Sequence, residues 1–429
     1  MQLSRKAIFK KSYSLVLSDL SEALLLLTGV LFMSFEDEQY LAATGLIDAA
    51  LLCCLAYGFA LTDSFQRFYA RHFARNKSGN CSSQVLLKSV LHFAGIGVFL
   101  ALVSFGSAAI LSYLFSNATV QLFYEAAPWF AVLVTVYYFA LPFHSFLIGK
   151  GHTRLVGWLA LVAIVINALL LWLILHVWHW SMLPTNALLY AALVAESVWL
   201  ILLVGFCQYK GYLSFIKEAA PKNNRLVKVI HKTAVYPGLS ALSFHLGTTF
   251  LIVYLSWCCA EQHVATLTLI LGFWGVLIAP VNGMADAANN DFSMLYSRRK
   301  NAAFAVVRMK YVEVAAVLSG LVFIQLLIVN ELFAKAQQLD FNVMVLLGVL
   351  ALLTIINKFD FVALLTRLEN NSYAGVKLFY GTAVGLAVIG CTLLLNLELI
   401  MLLTAICVMQ LFITQWLYWR VKKVWFSVG

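Results

Sequence analysis

Apolar residues run in long unbroken blocks along this chain, with short polar stretches between them. A hydrocarbon core about 30 Å thick is crossed by roughly 20 apolar residues in a helix. On that rule the pattern predicts about twelve membrane-spanning helices. They cover residues 13–34, 41–65, 87–116, 126–149, 155–178, 186–206, 234–258, 264–290, 303–330, 342–366, 374–394 and 398–419. The longest connection, 207–233, is basic and holds Pro221. It divides the blocks six and six, giving an amino-terminal lobe (1–206), a linker (207–233) and a carboxy-terminal lobe (234–429).

The polar stretches alternate in sign. Lys and Arg gather at the amino terminus, at 67–77, 150–154, 210–232 and 298–310, at Arg367, and at 420–423. The intervening loops carry Glu36, Asp37, Glu38, Glu125, Glu261 and Asp340, with Lys335 their only Lys or Arg. Cytoplasmic loops are enriched in Lys and Arg, so both termini are predicted in the cytoplasm of a bacterial inner (plasma) membrane. An even number of spans agrees with that. No short apolar region with a cleavage site opens the chain, so the first span is expected to be retained.

Composition supports the membrane reading. Of 429 residues, 62% are hydrophobic and 11% charged, against about a quarter charged in ordinary soluble domains. The net charge of +10 reads as orientation signal rather than as affinity for nucleic acid. Eight cysteines show no metal-ligand spacing and are expected as free thiols. No nucleotide-binding loop, metalloprotease motif or serine-nucleophile motif is present, so no cofactor is expected beyond a coupling ion.

The two halves repeat. A shift of 223, the distance from Glu38 to Glu261, also places Gln39 on Gln262, Ala42 on Ala265, Leu46-Ile47 on Leu269-Ile270, Asp63 on Asp286, Arg75 on Arg298 and Lys77 on Lys300. Matches at rare charged positions carry weight that apolar matches do not. Six spans per half, each half starting in the cytoplasm, make the repeat parallel, with an axis along the membrane normal. The same shift sets Glu22 on His245.

Three stretches carry a family resemblance. Leu17-Ser18-Asp19-Leu20-Ser21-Glu22, followed by Tyr40-Leu41-Ala42-Ala43-Thr44-Gly45, is similar to the first span and the start of the second in multidrug and toxic compound extrusion (MATE) transporters. Leu147-Ile148-Gly149-Lys150-Gly151-His152-Thr153-Arg154 resembles that family's turn between spans four and five, and Asn167 fits its span-five asparagine. Pro237 with His245 eight residues on resembles its seventh span, where some members carry a carboxylate. The resemblance implies an all-α membrane protein of two six-helix lobes and transport by alternating access. The chain departs from the family at three places. Gly29 and Leu171 stand where many members have aspartates, and Arg367-Leu368-Glu369-Asn370-Asn371 lacks the glycines of the matching turn.

Ionisable residues inside spans mark functional sites by default. Glu22, Asp19, His245, Asp360 and Glu196 are therefore the candidates for proton or cation coupling. Asn167, Asn357, Lys358, Tyr137 and Phe244 are the candidates for the substrate cavity. Each has a plainer alternative: a hydrogen-bonded packing residue or, for Lys358 and Asp360, an internal ion pair. His92 and His144 are read as packing, and the duplicated Asp63 and Asp286 as anchors of helix ends.

The reading is an antiporter, coupled to H⁺ or Na⁺, that exports a small amphipathic organic compound, cationic or neutral, as a monomer in the bilayer. The alternatives are a flippase for a lipid-linked sugar, which calls for a cavity rich in Arg and Lys, and a polytopic enzyme of glycan or acyl transfer, which calls for a large outer loop. A non-transporting scaffold would lack a solvent-connected cavity.

Overall fold

Long apolar runs with few helix breakers, whose backbone polar groups must be paired inside lipid, can only become helices. The computed structural model describes residues 4–75, 80–178, 182–213, 225–259, 261–297, 301–332, 339–366 and 399–426, and among these it is all-helical. The helices are α1 (Arg5–Met33), α2 (Glu38–Arg75), α3 (Asn80–Leu114), α4 (Ala118–Gly149), α5 (Thr153–Trp172), α6 (Pro184–Tyr209), α7 (Arg225–Cys258), α8 (Glu261–Ser297), α9 (Asn301–Leu332), α10 (Phe341–Thr366) and α11 (Leu399–Phe426). A π-helical turn, Leu173–Val177, continues α5. Nine of the described helices are long and apolar enough to cross a bilayer. The predicted span 374–394 and the turn Arg367–Asn371 lie outside the described residues.

Helix ends follow local chemistry. Asn117 caps α4, its Oδ1 accepting from Val120 N at 2.9 Å, as short polar side chains do for the orphan amides of a first turn. Pro184 opens α6, where its missing N–H costs nothing. Pro237 does not open the seventh span as the sequence suggests. Helix α7 starts at Arg225 and the proline lies inside it. The basic stretch that reads as linker thus supplies the first turns of α7.

By packing, the described residues fall into two units. One holds those up to Leu27 and those from Leu269 onward; the other holds Thr28 to Thr268. In the first unit, Ile8 joins a core with Met284 and Phe292 of α8, Phe304 and Tyr311 of α9, Phe359 and Val362 of α10, and Leu417 and Val421 of α11. In the second, α4 is central, packed by α2, α3 and α6, and α7 lies along α2. Tyr138 of α4 is fully buried there. A Cβ on Gly97 would meet the Tyr138 side chain at 2.5 Å, so glycine makes room for the ring. Between membrane helices, close van der Waals packing of this kind replaces the hydrophobic drive available in water.

Two pairs of the described helices start at the repeat offset. α2 starts at Glu38 and α8 at Glu261; α4 starts at Ala118 and α10 at Phe341. Both pairs are 223 apart. α4 packs on α3 and α6, and the equivalent α10 packs on α9 and α11. α1 up to Leu27 packs in the unit that holds α8 from Leu269 onward, and α7 packs in the unit of α2 to α6. Two close approaches in these packings keep the repeat register. A Cβ on Gly283 of α8 would strike the backbone of α1 at Leu15 and Val16, at 2.5–2.6 Å, and a Cβ on Gly238 of α7 would lie 3.4 Å from Ala60 of α2. Shifting Leu15 and Gly283 by 223 gives Gly238 and Ala60, so the two contacts are repeat equivalents.

Candidate functional site

The most confined ionisable group of the first unit is on α10. Asp360 is fully buried (0% exposed), and Arg308 of α9 donates from Nε to its Oδ1 at 2.5 Å. One turn earlier, buried Asn357 donates from Nδ2 to Oε1 of Gln410 on α11 at 2.6 Å. Residues three apart share a helix face, so Asp360 and Asn357 lie on one side of α10, Asp360 bonded to α9 and Asn357 to α11. Each keeps a buried acceptor without a hydrogen bond, Asp360 Oδ2 and Asn357 Oδ1. Leaving a buried acceptor unsatisfied costs about 1–3 kcal/mol. A proton or a small cation on the free Asp360 oxygen would remove that cost at the carboxylate.

Helix α9 holds a second carboxylate. Asp291 of α8 is buried, accepts from Tyr311 Oη at 2.7 Å and pairs with Lys11 of α1. Arg308 and Tyr311 are again three apart, so one face of α9 serves Asp360 on one neighbour and Asp291 on another. Two residues on, Glu313 accepts from Arg5 Nε at 2.7 Å. The amino-terminal turns of α1 are thereby tied to α8 and α9 by charge as well as by packing.

Asp360 forms an internal ion pair, the plainer alternative, but not with Lys358. Residues two apart on a helix do not face each other, and the partner is Arg308. Lys358 is half-buried. Arg308, Asp291, Lys11 and Gln410 were not singled out from sequence. Arg308 lies within the basic stretch 298–310, and Asp291 falls one residue beyond the predicted eighth span. Asp19 is half-buried on α1, and Glu22 is exposed there.

The second unit holds the other candidates. Glu196 is buried on α6, with Trp199 one turn on. Trp199 packs on His144 of α4, ring centroids 5.5 Å apart. Asn167, on the buried face of α5, has neither amide atom hydrogen-bonded. Tyr137 is buried on α4, and His245 is half-buried on α7. Phe244 lies on α7 with its side chain outside the described residues. His92, read from sequence as packing, instead meets His231 of α7 nitrogen to nitrogen, and His231 Nδ1 lies 2.8 Å from Tyr57 Oη.

The two positions where the related pattern carries aspartates are filled by packing. A Cβ on Gly29 would meet Leu188 Cδ1 at 2.6 Å, and Leu171 is fully buried. No group of three metal-ligating side chains occurs among the described residues.

No family model and no curated protein matches the chain. Solved structures do match, at low identity and over nearly full length. An inward-facing MATE-family multidrug resistance transporter of the MOP superfamily superposes with a TM-score of 0.79 at 18% identity, over 95% of this chain and 96% of that one. An outward-facing structure of such a transporter gives 0.76 at 18% identity, over 99% and 97%. A MOP superfamily transporter from Pyrococcus furiosus Vc1, whose reversed binding-pocket polarity suggests a different function, gives 0.74 at 18% identity, over 98% and 96%. The chain therefore has the MATE fold and is a multi-pass integral membrane protein.

Proposed function

We propose that the chain is an ion-coupled antiporter that exports a small amphipathic compound, cationic or neutral, by alternating access of two six-helix lobes. The coupling ion is H⁺ or Na⁺, entering as the compound leaves. The termini lie in the cytoplasm of a bacterial inner membrane, and the protein works as a monomer without a cofactor. The reading is transport, not catalysis.

One observation carries the reading: Asp360 is wholly buried, with one oxygen held by Arg308 and the other without a hydrogen bond. A carboxylate so placed has one fixed counter-charge and one oxygen left to take an exchangeable cation. Occupancy of that second position changes the charge inside the bundle, which is what biases a two-state equilibrium. Glu22, accessible on α1, and Asp19 extend the acidic set in the same unit, while His245, Glu196 and Asn167 belong to the other. Asn167, with both polar atoms of its amide unsatisfied, suits a polar group of the cargo.

Arg308 is an intramembrane cation of the kind the flippase alternative calls for. Asp360 neutralises it, so the deep polar set keeps its acidic balance and favours a cationic or neutral cargo over an anionic lipid-linked one.

The test is export into proteoliposomes under an imposed pH or Na⁺ gradient. Asp360→Asn and Glu22→Gln should each remove the gradient-driven component while the protein remains folded. Gradient-driven export at the wild-type rate in both variants would overturn the assignment.

A further inference from the structure

Helices α4 and α6 end in the same way. Phe146, Lys150, Gly151 and His152 repeat as Phe206, Lys210, Gly211 and Tyr212. Gly151 (φ 90°) and Gly211 (φ 69°) are left-handed, a conformation glycine adopts without strain. His152 N donates to Leu147 O and Tyr212 N to Cys207 O, both at 2.9 Å, the hydrogen bond that closes a glycine-terminated helix. Each lysine folds back over the phenylalanine four residues before it, Lys150 5.4 Å from the Phe146 centroid and Lys210 5.7 Å from Phe206.

The two caps are clasped. His152 Nε2 lies 2.9 Å from Tyr212 Oη, the His152 ring sits 5.3 Å from Phe206, and Lys150 Nζ lies 4.5 Å over the Tyr212 ring. Two ammonium groups and an imidazole are thus held together on an aromatic frame, with Arg154 two residues further on. Burial and the two lysines push His152 below its ordinary pKa, and burial lowers Lys150 as well. Arg154 also starts an exposed apolar stripe on α5: Trp158 (60% exposed), Val162, Val165 and Leu169 follow at helical spacing.

We propose that the paired caps of α4 and α6, with Arg154, bind the phosphate headgroup of an anionic phospholipid, one acyl chain lying along the Trp158–Leu169 face of α5. The aromatic frame prepositions the cations, so the phosphate meets them already gathered. The apolar stripe selects a lipid over a free anion. A bound phosphate relieves the repulsion among Lys150, Lys210 and His152, so binding tightens as pH falls and His152 takes up a proton.

The test is native mass spectrometry of the full chain in detergent, titrated with phosphatidylglycerol, phosphatidylcholine of matched chains, or inorganic phosphate. The wild type should retain phosphatidylglycerol preferentially, and phosphate at the same concentration should not compete. With about 1 kcal/mol per cation near a lipid surface, K210Q or R154Q should each lower the preference roughly fivefold. A control pair, K422Q with K423Q, should leave it unchanged. Equal retention of the two lipids by wild type, competition by free phosphate, or equal losses in the control pair would each overturn the proposal. The wild-type arms decide it even where a variant folds poorly.

Discussion

Arg308 on α9 and Asp360 on α10 form an ion pair of 2.5 Å within the first packing unit, and only one oxygen of the carboxylate is engaged. Removing one member of a buried pair strands the other's charge and costs about 3–5 kcal/mol, whereas replacing both by apolar residues of similar volume is often neutral. Arg308→Met alone should therefore lower thermal stability in detergent steeply, and Arg308→Met with Asp360→Leu should restore much of it. The restored double variant should still fail in gradient-driven export, separating the structural role of the pair from its proposed coupling role.

Tyr311 and Asp291 supply a second, cleaner measurement. The phenol donates to a buried carboxylate that also pairs with Lys11. Tyr311→Phe removes one donor and keeps the ring in its core. A hydrogen bond to a charged group contributes about 1.5–3 kcal/mol, so unfolding by denaturant should show a loss of that order.

Gly283 is expected to tolerate no side chain. A Cβ there would lie 2.5 Å from backbone atoms of Val16, and a backbone cannot swing aside as a flexible side chain can. Overpacking of this kind costs about 1–3 kcal/mol. Gly283→Ala should lower the melting temperature more than Gly320→Ala, since a Cβ at Gly320 meets nothing within 4 Å. An equal shift for both would contradict the close approach of α1 to α8.

His152 gives a pH dependence of known sign. Its folded-state pKa is depressed below 6.5 by burial and by Lys210 and Lys150. The unfolded chain takes up the proton near 6.5, and the folded protein only at lower pH. The contribution of the neutral ring is therefore complete above 6.5 and is lost as pH falls from there through the depressed folded value. In lipid-free detergent, thermal melts should show a loss of stability across that window, and His152→Gln should flatten it.

Much of this architecture was legible because membrane helices announce themselves by length and because charged residues are rare. Glu38 and Glu261 gave the repeat offset, and the starts of α2 with α8 and α4 with α10 keep it. Asp360 and Asn357 stood out as polar residues one turn apart in an apolar span. Their partners did not. Arg308 reads as one more cation near a basic loop until α9 is seen to extend through it, and Asp291 lies just past an apolar run. Lys358, the nearest cation in sequence, faces elsewhere because helix geometry separates positions two apart. The packing of α1 on α8 and of α7 on α2 was hidden for a different reason: an apolar helix carries no mark of which neighbour it packs against. Gly283 and Gly238 mark the close approaches, and single glycines are too common to read.

The most direct measurement is of the ion itself. Proteoliposomes loaded with a pH-sensitive dye, or assayed with radioactive Na⁺, can be given a gradient of ethidium as an organic-cation probe and no other driving force. Antiport predicts that ethidium moving down its gradient drives H⁺ or Na⁺ the opposite way, and that Asp360→Asn abolishes the ion movement. Ethidium flux with neither ion moving, or ion movement unchanged in Asp360→Asn, would contradict the account.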